Sequence, residues 1–142
     1  MKTGITKGYT AGIIDGEGSI MIIKSKNPTC KRGYSYQLKV VVANTNEWLC
    51  QWLKMQYGGT IQYKKSKKLQ KKDIYEWRIV STQARQFLEY IIPYLIIKKA
   101  QAEIAIRFQS SRGRGKPRTN NENILDEAER IRMRRLNSKG VH

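Results

Sequence analysis

The chain has 142 residues and a mass of 16.5 kDa, enough for one domain that buries about two-thirds of its unfolded surface. Lys and Arg number 28 against 11 Asp and Glu, a formal net charge of +17. Self-repulsion on that scale opposes a compact fold, which argues against an ordinary small-molecule enzyme and for a polyanionic partner, nucleic acid before membrane. Disorder is excluded by 39% hydrophobic residues and by 3 Trp, 8 Tyr and 2 Phe, which can build a core.

The opening MKTGITKGYTAG has no apolar run of signal-peptide length. No stretch reaches the ~18 apolar residues of a membrane span, so no membrane partner is expected. Cys30 and Cys50 form no spaced framework and read as reduced thiols of an intracellular, non-secreted protein. The single histidine is His142, which removes zinc fingers and nucleases that depend on a His base or a His/Cys metal cluster.

In chain order, residues 5 to 16 read as a short, glycine-rich helix. Residues 19 to 26 and 34 to 43 are strand-like and joined by NPTCKRG. Thr45 or Asn46 can cap a helix to about Tyr57, with Trp48, Leu49, Trp52 and Leu53 on one face, and Gly58 stops it. Strands follow at 60 to 65 and 73 to 80. Ser81 or Thr82 caps a helix carrying Phe87, Leu88, Ile91 and Ile92, which Pro93 ends. A further helix spans 95 to 110 on Ile97, Ala100, Ile104 and Phe108. After the loop SSRGRGKPR, residues 122 to 136 form an amphipathic helix on Ile124, Leu125, Ala128, Ile131 and Leu136. The order is helix, two strands, helix, two strands, then helices. The simplest packing is an α+β fold: one four-stranded antiparallel sheet with helices on one face and the other face open and curved. Residues 1–112 are the expected core domain. Residues 113–142 are a basic loop and C-terminal helix expected to pack on it.

Gly4, Gly8, Gly12 and Gly16 recur every four residues and share a helix face. Each interior glycine costs a helix about 1 kcal/mol against Ala; the face is useful where a second backbone approaches closely, and otherwise marks a frayed loop. A pairing of the helix with its like would make a two-fold dimer. Asp15 and Glu17 are the only acids in the first 46 residues. They sit at the helix end that disfavours negative charge and beside an anionic partner. Two readings stay open on the residues alone: a site for a cation such as Mg²⁺, or a solvated Asp-Gly and Glu-Gly turn.

Thr10-Ala11-Gly12-Ile13-Ile14-Asp15-Gly16-Glu17-Gly18 resembles the nine-residue motif of the LAGLIDADG homing endonucleases, with Thr10 for the usual Leu, Gly16 for Ala and Glu17 for Asp. The element order matches that family's αββαββα core with its saddle-shaped sheet. Residues 93 to 102, PYLIIKKAQA, look like the segment after its second hairpin. The resemblance implies that Glu17 binds the catalytic metal and that Gly16 offers its backbone carbonyl. Asp15 ranks second and mainly supports the helix end. It implies that Lys98 orders water beside the scissile phosphate and that Asn46 stands near a polar pocket residue, or only caps a helix. Gly8, Ala11 and Gly12 would pack on a partner helix. One motif per chain implies a homodimer that cuts a long, nearly palindromic double-stranded DNA site and leaves short 3′ overhangs. Mg²⁺ is the implied cofactor, with Mn²⁺ a substitute and Ca²⁺ binding without supporting cleavage.

Sheet alternation sends Leu38, Val40, Val42, Tyr75, Trp77, Ile79, Ile61 and Tyr63 inward. Gln37, Lys39, Val41, Gln62, Lys64, Glu76 and Arg78 then face outward, where Gln, Lys and Arg can address base edges or merely meet water. In the first strand Ile20, Met21, Ile22 and Ile23 occupy both phases, and only the resemblance favours Ser25 and Asn27 as DNA-facing. Lys64, Lys65, Lys67, Lys68, Lys71 and Lys72 crowd the second hairpin turn and read as phosphate contacts, with a solvated loop or localisation signal as alternatives. Arg112, Arg114, Lys116 and Arg118 suit a loop that orders on DNA. Arg130, Arg132, Arg134 and Arg135 either extend phosphate contact or are simply exposed. Trp48, Trp52 and Trp77 read as core. An intron RNA maturase and a non-cleaving DNA-binding relative are the competing functions on the same fold, the former with intron RNA as partner. Without a transit peptide, the chain suits a microbial cytoplasm or an organelle that encodes it.

Overall fold

A computed structural model describes residues 3–69, 71–112 and 118–139. Helix α1 (Gly4–Glu17) starts at Thr3, whose hydroxyl accepts from Thr6 N–H at 3.2 Å. It runs straight into β1 (Gly18–Lys26). Gly18 is essential at that corner: a Cβ there would lie 2.9 Å from Ile14 Cα. Strand β2 (Tyr34–Asn44) returns antiparallel to β1, and α2 (Glu47–Tyr57) carries the chain across to a second hairpin, β3 (Thr60–Lys64) and β4 (Ile74–Val80). The sheet order is β1-β2-β4-β3, antiparallel throughout, with the two hairpins joined at β2 and β4. Helix α3 (Ser81–Ile91), a 3-10 turn at Ile92–Tyr94, α4 (Lys99–Ser110) and α5 (Asn120–Lys139) complete the chain.

The register resolves the ambiguous first strand. Ile20 pairs with Val40 and Ile22 with Leu38, and all four are buried. Met21 and Ile23 therefore point to the outer face, opposite Lys39 and Gln37. Trp77 and Ile79 of β4 continue the buried row, and Trp77 Nε1 donates to Gly58 O at 2.8 Å. Phe87 meets both Trp77 and Tyr57 edge-on, which ties α3 to the sheet and to α2. Ala11, Ile14, Leu53, Leu88, Ile91, Ala105 and Phe108 close the core from the helical side. Val41, expected to meet solvent, is buried on the outer face, and Tyr63, expected inward, is exposed on the edge strand β3.

Three helical expectations are corrected. On α2 the buried residues are Cys50 and Leu53; Trp48, two residues past the Asn46 cap, is 72% exposed and not core. Helix α4 begins at Lys99 and not at 95, so Ile97 and Ala100 are exposed; Gln101, Ala102 and Ala105 join Ile104 and Phe108 on the buried face. The third concerns α5, which starts at Asn120 through a reciprocal cap. Glu122 N–H donates to Thr119 Oγ1 at 3.2 Å, and Thr119 N–H to Glu122 Oε1 at 2.9 Å. Most of its expected apolar stripe points outward, with Ile124 67% and Leu125 62% exposed and only Leu136 packed on the core, while Asp126 and Met133 are buried. Asp126 drives this orientation. It is 2% exposed and takes Arg112 Nη1 at 3.1 Å and Arg118 Nη2 at 2.8 Å. Asn137 Nδ2 adds a bond to Ile20 O at 3.0 Å on the edge strand.

Candidate active site and nucleic-acid interface

The end of α1 and the start of α4 clasp each other. Asp15 Oδ2 accepts from Ile96 N–H at 2.9 Å, and its Oδ1 accepts from Ile97 and Lys98 N–H at 3.1 and 3.0 Å. Lys98 answers by donating its ammonium to Asp15 O at 2.7 Å and Ile14 O at 3.0 Å, the terminal carbonyls of α1. Negative charge thus sits at one helix start and positive charge at the other helix end, as both dipoles favour. Burial pushes the Lys98 ammonium below its ordinary pKa, and the Asp15 charge pulls it back. Both oxygens of Asp15 thus hold backbone amides, the support for the helix end that ranks it behind Glu17 as a metal ligand.

Glu17 ends the same helix and is exposed. Its Oε2 accepts from Asn44 Nδ2 at 2.6 Å. Asn46, the residue expected near this pocket, instead caps α2, its Oδ1 taking Trp48 N–H at 2.9 Å. Asn44 carried no motif signal, because its contact spans 27 residues and depends on where β2 ends. The buried Thr10, the residue in place of the usual Leu, donates to Thr6 O at 2.8 Å and lies 2.6 Å from the Tyr57 hydroxyl.

Added Cβ atoms on Gly8, Gly12 and Gly16 would meet nothing within 4 Å, so that face of α1 is open. Ala11 is not part of it. It is fully buried on the Ile14 side of the helix, inside this chain's own core.

The outer face of the sheet carries Ser25, Gln37, Lys39, Gln62, Lys64 and Arg78 at the positions alternation assigns. Glu76 organises its centre: Arg78 bonds to Glu76 and Gln62, and Lys64 Nζ reaches Glu76 Oε2 at 3.0 Å. Burial would raise the Glu76 carboxyl, but the bonds from Lys64 and Arg78 outweigh it and hold the group below its usual range. Asn27 lies just past β1, where its Oδ1 takes the Thr29 hydroxyl at 2.6 Å and shapes the β1–β2 turn. In the second hairpin turn Lys65, Lys67, Lys68, Lys71 and Lys72 are exposed. Asp73 accepts from Ser66 N–H at 2.8 Å and from the Tyr63 hydroxyl, which fixes the base of that turn. Arg112 and Arg118, expected to await phosphate, are consumed by Asp126. Arg130 is held by Glu127, and Arg132, Arg134 and Arg135 are exposed. Arg114, Lys116 and His142 lie outside the described residues.

The sequence profile of the LAGLIDADG endonucleases matches residues 10–109. The chain belongs to this family. No curated protein matches the sequence. Among solved structures, the homing endonuclease I-CvuI in complex with the I-CreI target superposes with a TM-score of 0.79 at 19% identity, over 93% of this chain and 82% of that one. The archaeal intron-encoded homing endonuclease I-Vdi141I, complexed with DNA, gives 0.77 at 17% identity over 93% and 84%. The homing endonuclease I-TnaI gives 0.67 at 20% identity over 99% of both chains. The αββαββα fold expected from the sequence is therefore the family's fold.

Among the described residues no three His, Cys, Asp or Glu side chains gather as a metal cage. What the end of α1 offers is oxygen: the exposed Glu17 carboxylate and the terminal backbone at Gly16. That donor set fits a hard divalent ion, which accepts one or two carboxylates and completes its shell with phosphate and water. No helix among the described residues is long and apolar enough to cross a membrane.

Proposed function

We propose that this LAGLIDADG protein is a site-specific double-stranded DNA endonuclease that works as a homodimer on a long, nearly palindromic site. The observation that carries the reading is the open glycine face of α1 ending on an exposed carboxylate. Two such helices can approach backbone to backbone only where side chains are absent. The exposed Ile5 and Tyr9 of the same helix give that seam apolar margins. Pairing brings the two Glu17 carboxylates together on the symmetry axis, beneath the minor groove, so each strand meets one site.

Each part of the chain then has a task. The outer sheet face, with Arg78, Gln62, Lys39, Gln37 and Ser25, enters the major groove and reads base edges. The lysines of the β3–β4 turn neutralise flanking phosphates. Glu17 and the Gly16 carbonyl hold Mg²⁺, which when bound supplies Lewis acidity at the scissile phosphate. Lys98, half-buried and tied to the α1 carbonyls, keeps a positive charge and hydrogen-bond donors beside the reacting water. The products carry short 3′ overhangs. I-CvuI is known with the I-CreI target in Mg²⁺, where the DNA is not cleaved, and with its own target in Ca²⁺, which is consistent with divalent ions accompanying DNA on this fold.

The test is selection of cleaved sites from a random duplex library. Cuts at one nearly palindromic sequence in Mg²⁺, and none in Ca²⁺, are expected. Glu17→Gln should bind that duplex and leave it intact; full cleavage by this variant overturns the assignment. Sedimentation should give about twice the 16.5 kDa protomer, and a strict monomer on the DNA overturns the dimer.

A further inference from the structure

We propose that Leu69, at the tip of the β3–β4 turn, is a wedge that enters the DNA minor groove beside each half-site and bends the duplex onto the sheet. The inference rests on the reading of the outer sheet face as a DNA surface. Leu69 is fully exposed, the most exposed large apolar side chain among the described residues. A single exposed leucine is ordinary on a protein surface; what sets this one apart is its place. Lys71 N–H donates to Lys68 O at 3.1 Å and closes a tight turn with Leu69 at its first corner. Such corners favour Pro, Gly, Asn, Asp or Ser, and a leucine side chain adds nothing to the turn itself. The turn is nonetheless built to hold it out. Asp73 takes Ser66 N–H at 2.8 Å, and Ser66 Oγ accepts from Lys68 N–H at 3.2 Å and donates to Lys68 O at 3.0 Å.

The surroundings of Leu69 point to its ligand. Lys65, Lys67, Lys68, Lys71 and Lys72 are exposed on the two arms of the same turn. Gln62 and Lys64 carry its first arm back onto the outer sheet face. With the strands in the major groove, a turn that runs past their ends crosses the phosphate backbone, and a minor groove lies on the far side. The lysines meet phosphates on the way, and Leu69 is the side chain that arrives beyond them. It stands five residues past Lys64, the last β3 residue paired with β4. That gives a reach of at most about 17 Å, against a minor groove ~6 Å wide. Leucine is among the side chains that part base steps from this groove, and the kink they make runs toward the major groove. Here that direction wraps the duplex around the sheet. Unstacking is easiest at TA and CA steps, so a side chain with no hydrogen-bonding group still confers a sequence preference. The lysines around it confer none.

The experiment uses the duplex recovered from the library selection, bound to the full-length protein without divalent metal. A fluorescent adenine analogue that brightens on unstacking is placed at successive steps along both flanks, and a dye pair at the duplex ends reports the bend. The unaltered chain should brighten one step in each half-site, and the selection should enrich TA or CA at that step. Leu69→Ser keeps every lysine. It should lose the brightening and the enrichment, reduce the bend by about 20° or more, and leave the salt dependence of binding unchanged. Leu69→Met restores an apolar side chain of similar volume and should recover all three. Specific binding with no unstacked flanking step, or an equal signal from Leu69→Ser, overturns this inference alone. Failure of the unaltered chain to bind any duplex overturns the DNA reading and this inference with it.

Discussion

Asp15→Ala tests whether the clasp between α1 and α4 holds the site. The substitution deletes three carboxylate–amide hydrogen bonds, from Ile96, Ile97 and Lys98. Bonds to a charged group contribute about 1.5–3 kcal/mol each when sheltered. Here the Ile96 and Ile97 bonds are exposed, so water replaces most of their loss and the total comes to about 3 kcal/mol. For a domain of this length that lowers Tm by about 10 °C. Asp15→Asn keeps one carbonyl acceptor and should lose about half as much. It also deletes the charge that pulls the Lys98 pKa upward against burial. With that pull gone, Lys98 sheds its proton at lower pH, so the alkaline limb of cleavage moves toward neutrality. Calorimetry on both variants and cleavage rates from neutral to alkaline pH measure the two effects. A Tm for Asp15→Ala within about 2 °C of the unaltered chain refutes the claim that this carboxylate starts α4. An unmoved alkaline limb in Asp15→Asn refutes the electrostatic link to Lys98.

Three further outcomes are expected. Asp126→Asn strands the guanidinium groups of Arg112 and Arg118 around a nearly buried site and should cost about 3–5 kcal/mol, with Asp126→Leu plus Arg118→Met recovering much of it; equal thermal stability of the Asn variant and the unaltered chain would contradict the packing of α5. Glu127 is held at about 2, against an ordinary 4.5, by bonds from Arg130 and Tyr36. That depression is worth at most ~3 kcal/mol and about 1–2 kcal/mol after discounting for its partial exposure; the contribution is complete above the ordinary value and vanishes as pH falls toward the depressed one. Urea midpoints across that acid window should fall more steeply for the unaltered chain than for Glu127→Gln, and parallel curves would disprove the linkage. Replacing Lys67 and Lys68 with Ala should weaken binding to all DNA sequences alike and reduce the salt slope by about 0.9 for each phosphate no longer neutralised; an effect confined to one base position would show that the turn reads sequence.

Which features were legible in the sequence follows from how local their physics is. The alternation in Leu38, Val40 and Val42, and in Trp77 and Ile79, has one buried solution, and the structure adopts it. Four consecutive apolar residues at Ile20 to Ile23 have two, and only pairing with β2 selects Ile20 and Ile22. In α5 apolar periodicity alone points to the wrong face, because the acids decide which side is buried. Its start is encoded locally, by Thr119 three residues before Glu122. Its rotation is set by Asp126, which two arginines turn into the interior at the cost of exposing Ile124 and Leu125. At the candidate site, Glu17 and Lys98 stood out by residue type and motif. Asn44 did not, since nothing in its neighbourhood distinguishes it until β2 delivers it to the end of α1.

The charge that points to a nucleic-acid partner also sorts the acids by what each one holds. Glu76 takes Lys64 and Arg78; Asp126 takes Arg112 and Arg118; Glu127 takes Arg130 and Lys24; Glu129 takes Arg107. Asp15 and Asp73 hold backbone amides. Among the described residues no ion pair forms at Glu17, Glu47 or Glu103, all exposed, and of these only Glu17 stands at the end of α1. Its hydrogen-bond donor is the neutral amide of Asn44. A carboxylate without a cation partner at the end of α1 keeps its charge for a partner from outside the chain, and a hard metal ion between the helix end and a DNA phosphate is the partner proposed above.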